Sequence, residues 1–129
     1  MTPLEVLRRY RSWAVVGLSD RPERPSHSVA RFLLERGYDI TPVNPHLREV
    51  LGLTCYPDVR SIPRPIDVVD IFRRGELVEP VVDDAIAAGA RVVWMQLGVI
   101  NHAAAAKAAR AGLVVIMDRC PAIEWRSPA

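Results

Sequence analysis

Residues of types that often contact anions in proteins follow several apolar runs of this sequence. The first run leads into Gly17-Leu18-Ser19, the second into Val43-Asn44-Pro45-His46 and the third into Phe72-Arg73-Arg74. A fourth run leads into Gln96-Leu97-Gly98. Hydroxyl, amide and guanidinium groups donate hydrogen bonds, and arginine also supplies the positive charge that pairs with phosphate or carboxylate. A fifth run leads into Asp118-Arg119-Cys120-Pro121, which contains the one acidic residue of the five segments. Because the segments are poor in acidic residues and rich in donors, together they predict a site for an anionic ligand.

The segment after Gly17 has the composition of a phosphate-binding turn. Ser19 and Pro22 stand where the dinucleotide fingerprint G-x-G-x-x-G has its second and third glycines, so an ordinary dinucleotide turn is not predicted. A helical pattern begins at the end of Arg24-Pro25-Ser26. A capping hydroxyl and an arginine would then lie where free N–H groups and the positive end of the helix dipole suit a phosphate. The alternative without a ligand is that Ser26 only caps the helix and the arginines are solvated.

The second apolar run ends without the acidic residue that holds the ribose hydroxyls in an NAD site. Asn44-Pro45-His46 follows it instead. This pattern disfavours NAD and leaves open a phosphorylated ribose, as in NADP, with Arg48 or Arg73 on the 2′-phosphate. Asn44-Pro45 also suits a simple turn.

Cys120, beside Arg119, is the candidate nucleophile at a predicted strand end. No histidine lies near it in sequence to act as a base, and inert cysteines are common. The histidines at positions 27, 46 and 102 lack metal-ligand spacing, and there is no P-loop, nucleophile elbow or zinc motif. We therefore expect a binding domain without a catalytic residue or a metal site of its own.

The elements that must position these residues alternate along the chain. Apolar runs predict five buried strands, at 13–17, 38–43, 66–72, 91–97 and 113–117. A helical pattern with a capping box in Thr2-Pro3-Leu4-Glu5 precedes the first strand, at 3–10. Further helical patterns lie between the strands, at 26–36, from about Pro80 to Gly89, and at 101–111. Such alternation is typical of a parallel sheet covered on both faces.

The fold predicted from this alternation is α/β: a Rossmann-like, doubly wound parallel sheet of five strands in a single domain, residues 1–129. We expect the strand order 3-2-1-4-5, with ligands bound at the carboxyl ends of the strands near the switch point between strands 1 and 4. Mostly irregular chain is expected over 46–65, and an irregular tail from about 121.

Composition limits the function further. The 129 residues carry a net charge of +2, which gives no sign of a nucleic-acid-binding arm. No apolar run approaches about 18 residues, so no membrane span is predicted, and the N-terminus has no apolar h-region, so no signal peptide is predicted. Cys55 and Cys120 lie far apart without CxxC spacing. We therefore expect a cytoplasmic protein with reduced thiols and without nucleic-acid or membrane partners.

Six short motifs follow one another at the predicted strand ends and helix starts. They are Val15-Val16-Gly17-Leu18-Ser19, Arg24-Pro25-Ser26, Pro42-Val43-Asn44-Pro45, Val69-Asp70-Ile71-Phe72-Arg73, Trp94-Met95-Gln96-Leu97-Gly98 and Met117-Asp118-Arg119-Cys120-Pro121. In this order they resemble the motifs of the small stand-alone CoA-binding proteins, which are similar to the N-terminal CoA-binding domain of the succinyl-CoA synthetase α subunit. The resemblance extends from about Leu7 to Trp125.

The resemblance implies that the domain binds coenzyme A or acyl-CoA non-covalently. Gly17 to Ser19 and the helix start at Ser26 would take the phosphates, while Phe72-Arg73 and Gln96-Leu97-Gly98 would line the nucleotide and pantetheine path. Asn44-Pro45-His46 matches the segment in which the synthetase carries a lysine near the CoA phosphates, a lysine that this chain lacks. The phosphohistidine of the synthetase belongs to a second domain, so no ligase activity is expected from this chain alone.

The candidate CoA-binding residues are Gly17, Leu18, Ser19, Arg24, Pro25, Ser26, Val43, Asn44, Pro45, His46, Phe72, Arg73, Arg74, Gln96, Leu97 and Gly98. Two other functions remain open. One is an NADP-binding oxidoreductase or redox sensor. The other is a thiol function in which Cys120 forms a mixed disulfide with CoA or accepts an acyl group. The sequence does not indicate a protein partner.

Overall fold

The computed structural model describes residues 1–127 and shows one α/β domain. Its elements are α1 (Pro3–Arg9), β1 (Ser12–Val16), α2 (Pro25–Glu35), β2 (Asp39–Val43), β3 (Glu49–Val50), β4 (Leu53–Thr54), β5 (Val68–Ile71), α3 (Val78–Ala87), β6 (Val92–Met95), α4 (His102–Arg110), β7 (Val114–Ile116) and α5 (Pro121–Arg126). Short 3-10 turns cover Val59–Ser61 and Gly75–Leu77. The strands predicted from the apolar runs are β1, β2, β5, β6 and β7.

The main sheet is parallel and has the order β2-β1-β5-β6-β7. The prediction of a doubly wound, five-stranded parallel sheet is therefore confirmed. The predicted strand order is wrong, because the third of these strands, β5, pairs with β1 and not with the outer side of β2. The order is thus 2-1-3-4-5 in place of 3-2-1-4-5, and the switch point lies between β1 and β5.

Pro42 gives the physical reason for the observed order. In the predicted order β2 would have partner strands on both sides. Proline has no N–H to donate to a ladder, so it is confined to edge strands and strand ends. β2 is an edge strand here and begins with the exposed Asp39, whereas all four residues of β5 are buried.

Two apolar layers hold the helices against the sheet. On one face, which we call the tryptophan face, Trp13, Val15, Val68 and Trp94 pack against α1, α2 and α5. On the other, the aliphatic face, Ala14, Val16, Val69, Ile71, Val93 and Met95 pack against α3 and α4. Burial of each large apolar side chain stabilises the fold by about 1.5–3 kcal/mol. Side chains alternate between the two faces along every strand, so each inner strand is covered on both sides.

α1 begins with the predicted capping box. The Thr2 hydroxyl accepts a hydrogen bond from the Glu5 N–H at 3.2 Å, and the Glu5 carboxylate accepts one from the Thr2 N–H at 3.0 Å. Hydrogen bonding of the Glu5 carboxylate to the Thr2 backbone N–H, and then to the Thr2 side chain, lowers the pKa of Glu5. The capping box therefore fixes the start of the helix.

The segment 46–65 is mostly irregular, as predicted, but it contains a hairpin that the sequence analysis missed. β3 and β4 pair antiparallel around Leu51 and Gly52, which both have positive φ. Two-residue hairpin turns of this kind favour Asn-Gly or Asp-Gly, so Leu51 concealed the turn.

The prediction of an irregular tail from about 121 is also wrong for the described residues, because α5 occupies Pro121–Arg126. Pro121 suits the first helical position, and the Trp125 ring makes an edge contact with Tyr38 at 6.0 Å. Tertiary packing, which a six-residue pattern cannot reveal, stabilises this short helix. The part of the predicted tail at 128–129 lies outside the described residues. Within residues 1–127, no helix has the length and apolarity needed to cross a membrane.

Candidate functional site

A cleft of about 980 Å³ opens at the carboxyl ends of β1, β5 and β6, beside the switch point. Its described lining consists of Gly17, Ser19, Arg24, Pro25, Ser26, Ser28, Val29, Phe72, Arg73, Arg74, Gln96, Leu97, Gly98, Val99 and Cys120. This lining contains three arginines and no acidic residue. The cleft is therefore positively charged and large enough for an extended anionic ligand.

Gly17 closes the floor of the cleft between β1 and β5. Its N–H donates to the Val43 carbonyl at 2.8 Å, and the Phe72 N–H donates to the Val16 carbonyl at 2.8 Å. Gly17 has φ +85°, and a Cβ at this position would overlap the Phe72 carbonyl oxygen. The glycine is thus required both by its backbone conformation and by the close approach of β5.

Ser26 holds the loop after β1 and does not cap α2. The N-cap position belongs to Arg24, without a side-chain cap, and Pro25 is the first helical residue. Proline suits that position because its fixed φ is helical and the N–H it lacks would have no partner within the helix. The Ser26 hydroxyl instead accepts a hydrogen bond from the Ser19 N–H at 3.0 Å. The capping role predicted for Ser26 is therefore wrong, while its position in the cleft agrees with the prediction.

The segment after β2 lies beside the cleft rather than in it. Asn44 donates from Nδ2 to the Leu18 carbonyl at 3.1 Å and accepts at Oδ1 from the His46 N–H at 2.9 Å. Asn44 thereby ties the end of β2 to the loop after β1. Pro45 and His46 are exposed, and Leu18 and Val43 are core residues.

None of these five candidates, Leu18, Val43, Asn44, Pro45 and His46, is among the lining residues. The sheet order explains the position of the four that end or follow β2, because β2 lies on the far side of β1 from the switch point. Leu18 follows β1, but its side chain is buried in the core.

Phe72, Arg73 and Arg74 follow β5 and line the middle of the cleft. Arg74 is exposed and its Nε lies 3.4 Å from a Glu76 carboxylate oxygen. Arg73 is half-buried, and its Nε is buried without a hydrogen-bond partner among the described residues. An unpaired buried donor costs free energy. Arg73 is thus the arginine of this pair that has an unused donor for a ligand.

Gln96, Leu97 and Gly98 follow β6 on the opposite side of the cleft. Gln96 is only 6% exposed, and its Oε1 has no partner among the described residues. The Gly98 N–H donates to Asp118 Oδ1 at 2.8 Å, which joins this loop to the end of β7. Asp118 has a positive φ of 61°, a conformation that Asp tolerates better than most residues.

Cys120 lines the cleft, and two hydrogen bonds of the preceding residue, Arg119, hold the chain there. The Trp94 indole N–H donates to the Arg119 carbonyl at 2.9 Å, and the Arg119 N–H donates to the Met95 carbonyl at 3.3 Å. Cys120 is partly exposed and lines the cleft together with Ser28, Val29 and Val99. Cys120 was predicted at this edge only for the alternative thiol function, and the other three residues were absent from the predicted binding set. Ser28 and Val29 could have been predicted, because they lie three and four residues after Pro25 and therefore share one side of α2 with it.

Asp70 lies within the tryptophan face, opposite Val15 and Trp94 in the sheet register. It is fully buried, and neither of its carboxylate oxygens bonds to a side chain in the described structure. Burial raises its pKa well above the usual range, and the Ile71 N–H opposes that shift only in part. The protonated form is therefore favoured there.

A metal centre has no support in the described residues, among which no group of three or more His, Cys, Asp or Glu side chains is placed to hold an ion. The cleft itself offers guanidinium, hydroxyl and amide groups, an aromatic ring and a thiol. This donor set suits an organic anion.

The fold and the cleft define a doubly wound α/β domain with a positively charged cleft at its switch point. The family model for the CoA binding domain matches residues 11–126, and the chain belongs to this family. The family resemblance stated from the six motifs is therefore confirmed.

Three relatives show how far the similarity extends. YneT of Bacillus subtilis (strain 168) is 42% identical over 116 residues, which are 90% of this chain and 86% of that protein. A solved structure of a protein from Pyrococcus horikoshii OT3 is 46% identical with a TM-score of 0.93, and the match covers 96% of this chain and 89% of that one.

The third relative is much longer. The dinucleotide-forming acetyl-coenzyme A synthetase 1 of Ca. Korarchaeum cryptofilum, in its apo form, is 28% identical with a TM-score of 0.77. The match covers 89% of this chain and 28% of the synthetase chain. This chain thus resembles one part of a larger enzyme.

Proposed function

We propose that this protein binds coenzyme A or acyl-CoA non-covalently in the cleft at the switch point, and that residues 1–129 serve as one CoA-binding domain. The observation that carries the proposal is the pairing of two unused groups in one cleft: the buried Nε of Arg73 and the buried Oε1 of Gln96. CoA offers phosphates to the first and amide N–H groups to the second. Membership of the CoA-binding domain family supports the same ligand.

The distribution of charge in the cleft favours one orientation of bound CoA. Arg24 and Ser19 lie on the β1 side, where the start of α2 adds the Ser26 N–H and the positive end of the helix dipole, and this side would take the phosphates. The half-buried Phe72 ring lies between the two sides and would contact the nucleotide or the start of the pantetheine arm. Gln96, Leu97 and Gly98 on the β6 side would line the rest of that arm.

Binding without catalysis is the simplest function for this set of residues. The described lining has neither a carboxylate nor a histidine to move a proton. The similar synthetase is more than three times longer than the matched segment, so its reaction is not transferred to this chain. The unpaired thiols of Cys55 and Cys120 fit a reducing compartment such as the cytoplasm.

Isothermal titration calorimetry of the purified, dialysed protein with CoA, NADPH and ATP tests the proposal. We expect micromolar binding of CoA and much weaker heats from NADPH and ATP. A preference for NADPH would contradict the proposal and favour an NADP-dependent oxidoreductase or redox sensor. Dephospho-CoA in a fourth titration would show how much the 3′-phosphate of CoA contributes.

A further inference from the structure

We propose that Cys120 is a thiol–disulfide exchange site that captures the CoA moiety of CoA disulfide as a mixed disulfide; this inference rests on the proposed CoA binding. Cys120 is unpaired, partly exposed and part of the cleft lining. The site takes its selectivity from the cleft, which binds the rest of the CoA molecule and brings its sulfur to the thiol.

Gln96 supplies an independent sign of a ligand at this end of the cleft. Its side chain is 94% buried, lines the cleft and has an unpartnered Oε1 in the described structure. A buried amide oxygen without a donor costs free energy, and a ligand N–H would satisfy it. The pantetheine arm carries amide N–H groups just before its sulfur. An arm bonded to Gln96 would therefore bring that sulfur to the end of the cleft that holds Cys120.

The backbone holds Cys120 at the same end. Arg119 accepts from the Trp94 indole and donates to the Met95 carbonyl, one residue before Gln96. Trp94 is fully buried and its ring centroid lies 5.4 Å from that of Trp13, so it anchors this loop to the core. Cys120 therefore follows an anchored residue and lines the same cleft as Gln96, rather than lying on a free tail.

Arg24, on the opposite side of the cleft from Cys120, would select the anionic partner. Arg24 follows β1, whereas Cys120 follows β7, so three strand spacings of the sheet separate them. A ligand with phosphates at one end and a sulfur at the other could place its phosphates near Arg24 and its sulfur near the Cys120 thiol. Glutathione disulfide carries carboxylates but lacks the phosphorylated nucleotide that would extend from the thiol to Arg24, so it should gain less from this charge than CoA disulfide does.

The exchange is balanced without an external oxidant. The Cys120 thiolate attacks one sulfur of CoA disulfide, the S–S bond of CoA disulfide breaks, and a new S–S bond forms between Cys120 and one CoA. The second CoA leaves as a thiolate, and the proton lost from Cys120 goes to solvent. A small thiol reverses the reaction by attacking the mixed disulfide, which releases CoA and restores the Cys120 thiol.

Cys55 provides a matched control within the same chain. It is 8% exposed, and burial raises the pKa of its thiol. Its sulfur lies at long hydrogen-bond distances from two backbone carbonyls, 3.6 Å from that of Asn44 and 3.9 Å from that of Tyr56. Cys55 is not part of the cleft lining, so it should remain unmodified when Cys120 reacts.

The test is the rate of adduct formation, followed by intact mass spectrometry of the parent, Cys120→Ser and Cys55→Ser proteins. Each is incubated with CoA disulfide or with glutathione disulfide, with and without desulfo-CoA, which lacks the sulfur. We expect one CoA adduct on the parent and on Cys55→Ser, formed about 10-fold or more faster than the glutathione adduct because binding positions the disulfide. Desulfo-CoA should suppress the CoA adduct, and Cys120→Ser should form none.

Equal rates with the two disulfides, no effect of desulfo-CoA, or an adduct on Cys55 would each overturn the inference. Calorimetric titration of the parent and of Cys120→Ser with reduced CoA shows whether only the exchange at Cys120 is absent or whether CoA binding itself is absent. If both proteins bind reduced CoA but the parent forms no selective adduct, only the exchange site is lost. If neither protein binds it while both retain cooperative thermal unfolding, the CoA-binding function and the exchange site fall together.

Discussion

The Ser26 hydroxyl accepts a hydrogen bond from the main-chain N–H of Ser19 at 3.0 Å, and this contact joins the first turn of α2 to the loop after β1. Ser26 is 5% exposed, so the contact lies mostly out of water. It sets the spacing between the loop and the helix start, which form one side of the cleft. The hydroxyl therefore shapes the site rather than capping the helix.

Ser26→Ala should loosen this side of the cleft. Removal of the acceptor leaves the Ser19 N–H without its partner, at a cost of about 1–3 kcal/mol in the free energy of unfolding if water does not replace it. CoA affinity should fall as well. Ser28→Ala is the control for stability alone, since Ser28 also lines the cleft; it is exposed, and its substitution should change stability by less than about 0.5 kcal/mol. Urea denaturation and calorimetry measure the two effects, and equal stability of both variants would refute the role of Ser26.

Gly17→Ala should destabilise the protein strongly, by about 3 kcal/mol or more, because the new Cβ meets backbone that cannot move away easily. The fair comparison is Gly89→Ala. Gly89 also has a positive φ, +77°, but a Cβ added there would have no heavy atom within 4 Å outside its own helix and chain neighbours. Its substitution should cost only the conformational strain, about 1–2 kcal/mol. Thermal or urea unfolding of the two variants isolates the contribution of the Phe72 carbonyl, and similar losses in both would contradict the argument.

Arg73→Ala should weaken CoA binding by about 1.5–3 kcal/mol, since a charge-assisted hydrogen bond to phosphate would be lost. Arg74→Ala should cost less, because Arg74 is exposed and already lies near Glu76. Arg91→Ala is the control, since Arg91 precedes β6 at the opposite edge of the sheet and should not alter affinity. Calorimetric titration of the three variants decides the matter: unchanged affinity in Arg73→Ala would remove this residue from the site.

Asp70 should make stability depend on pH in a direction opposite to that of most carboxylates. Its pKa is raised in the folded state, so above the ordinary pKa of about 3.9 the unfolded chain releases this proton while the folded protein keeps it. The Asp70 contribution therefore falls as pH rises from about 4 to the folded pKa. Asp70→Asn cannot ionise and should be more stable than the parent at neutral pH.

Urea denaturation of the parent and Asp70→Asn between pH 4 and 8 tests this difference. The free energies of unfolding should diverge as pH rises, with the variant becoming relatively more stable. Glu5, whose pKa is lowered, contributes with the opposite sign in both proteins and cancels in the comparison. A constant difference across this range would show that Asp70 ionises at the same pH in both states.

The sequence by itself determined the parallel α/β fold and most of the cleft. Strands that are apolar at nearly every position, such as 68–71 with Asp70 as its one polar residue and the wholly apolar 92–95, are buried on both faces, and that burial requires helices on each side. The segments that end β1, β5 and β6 reach the cleft because the carboxyl ends of parallel strands share one edge of the sheet. This information is local, because it depends on periodicity and on the residue that follows each strand.

The tertiary structure decided which strand ends meet. Asn44-Pro45-His46 has the right composition for the site but follows an edge strand, so it lies beside the cleft. Cys120 is held at the cleft by its neighbour Arg119, whose carbonyl accepts a hydrogen bond from the Trp94 indole 25 positions earlier in the chain. Pairing between distant strands and contacts between distant side chains leave little trace in local periodicity. Pro42 is the exception, since its missing N–H is a local sign that β2 is an edge strand.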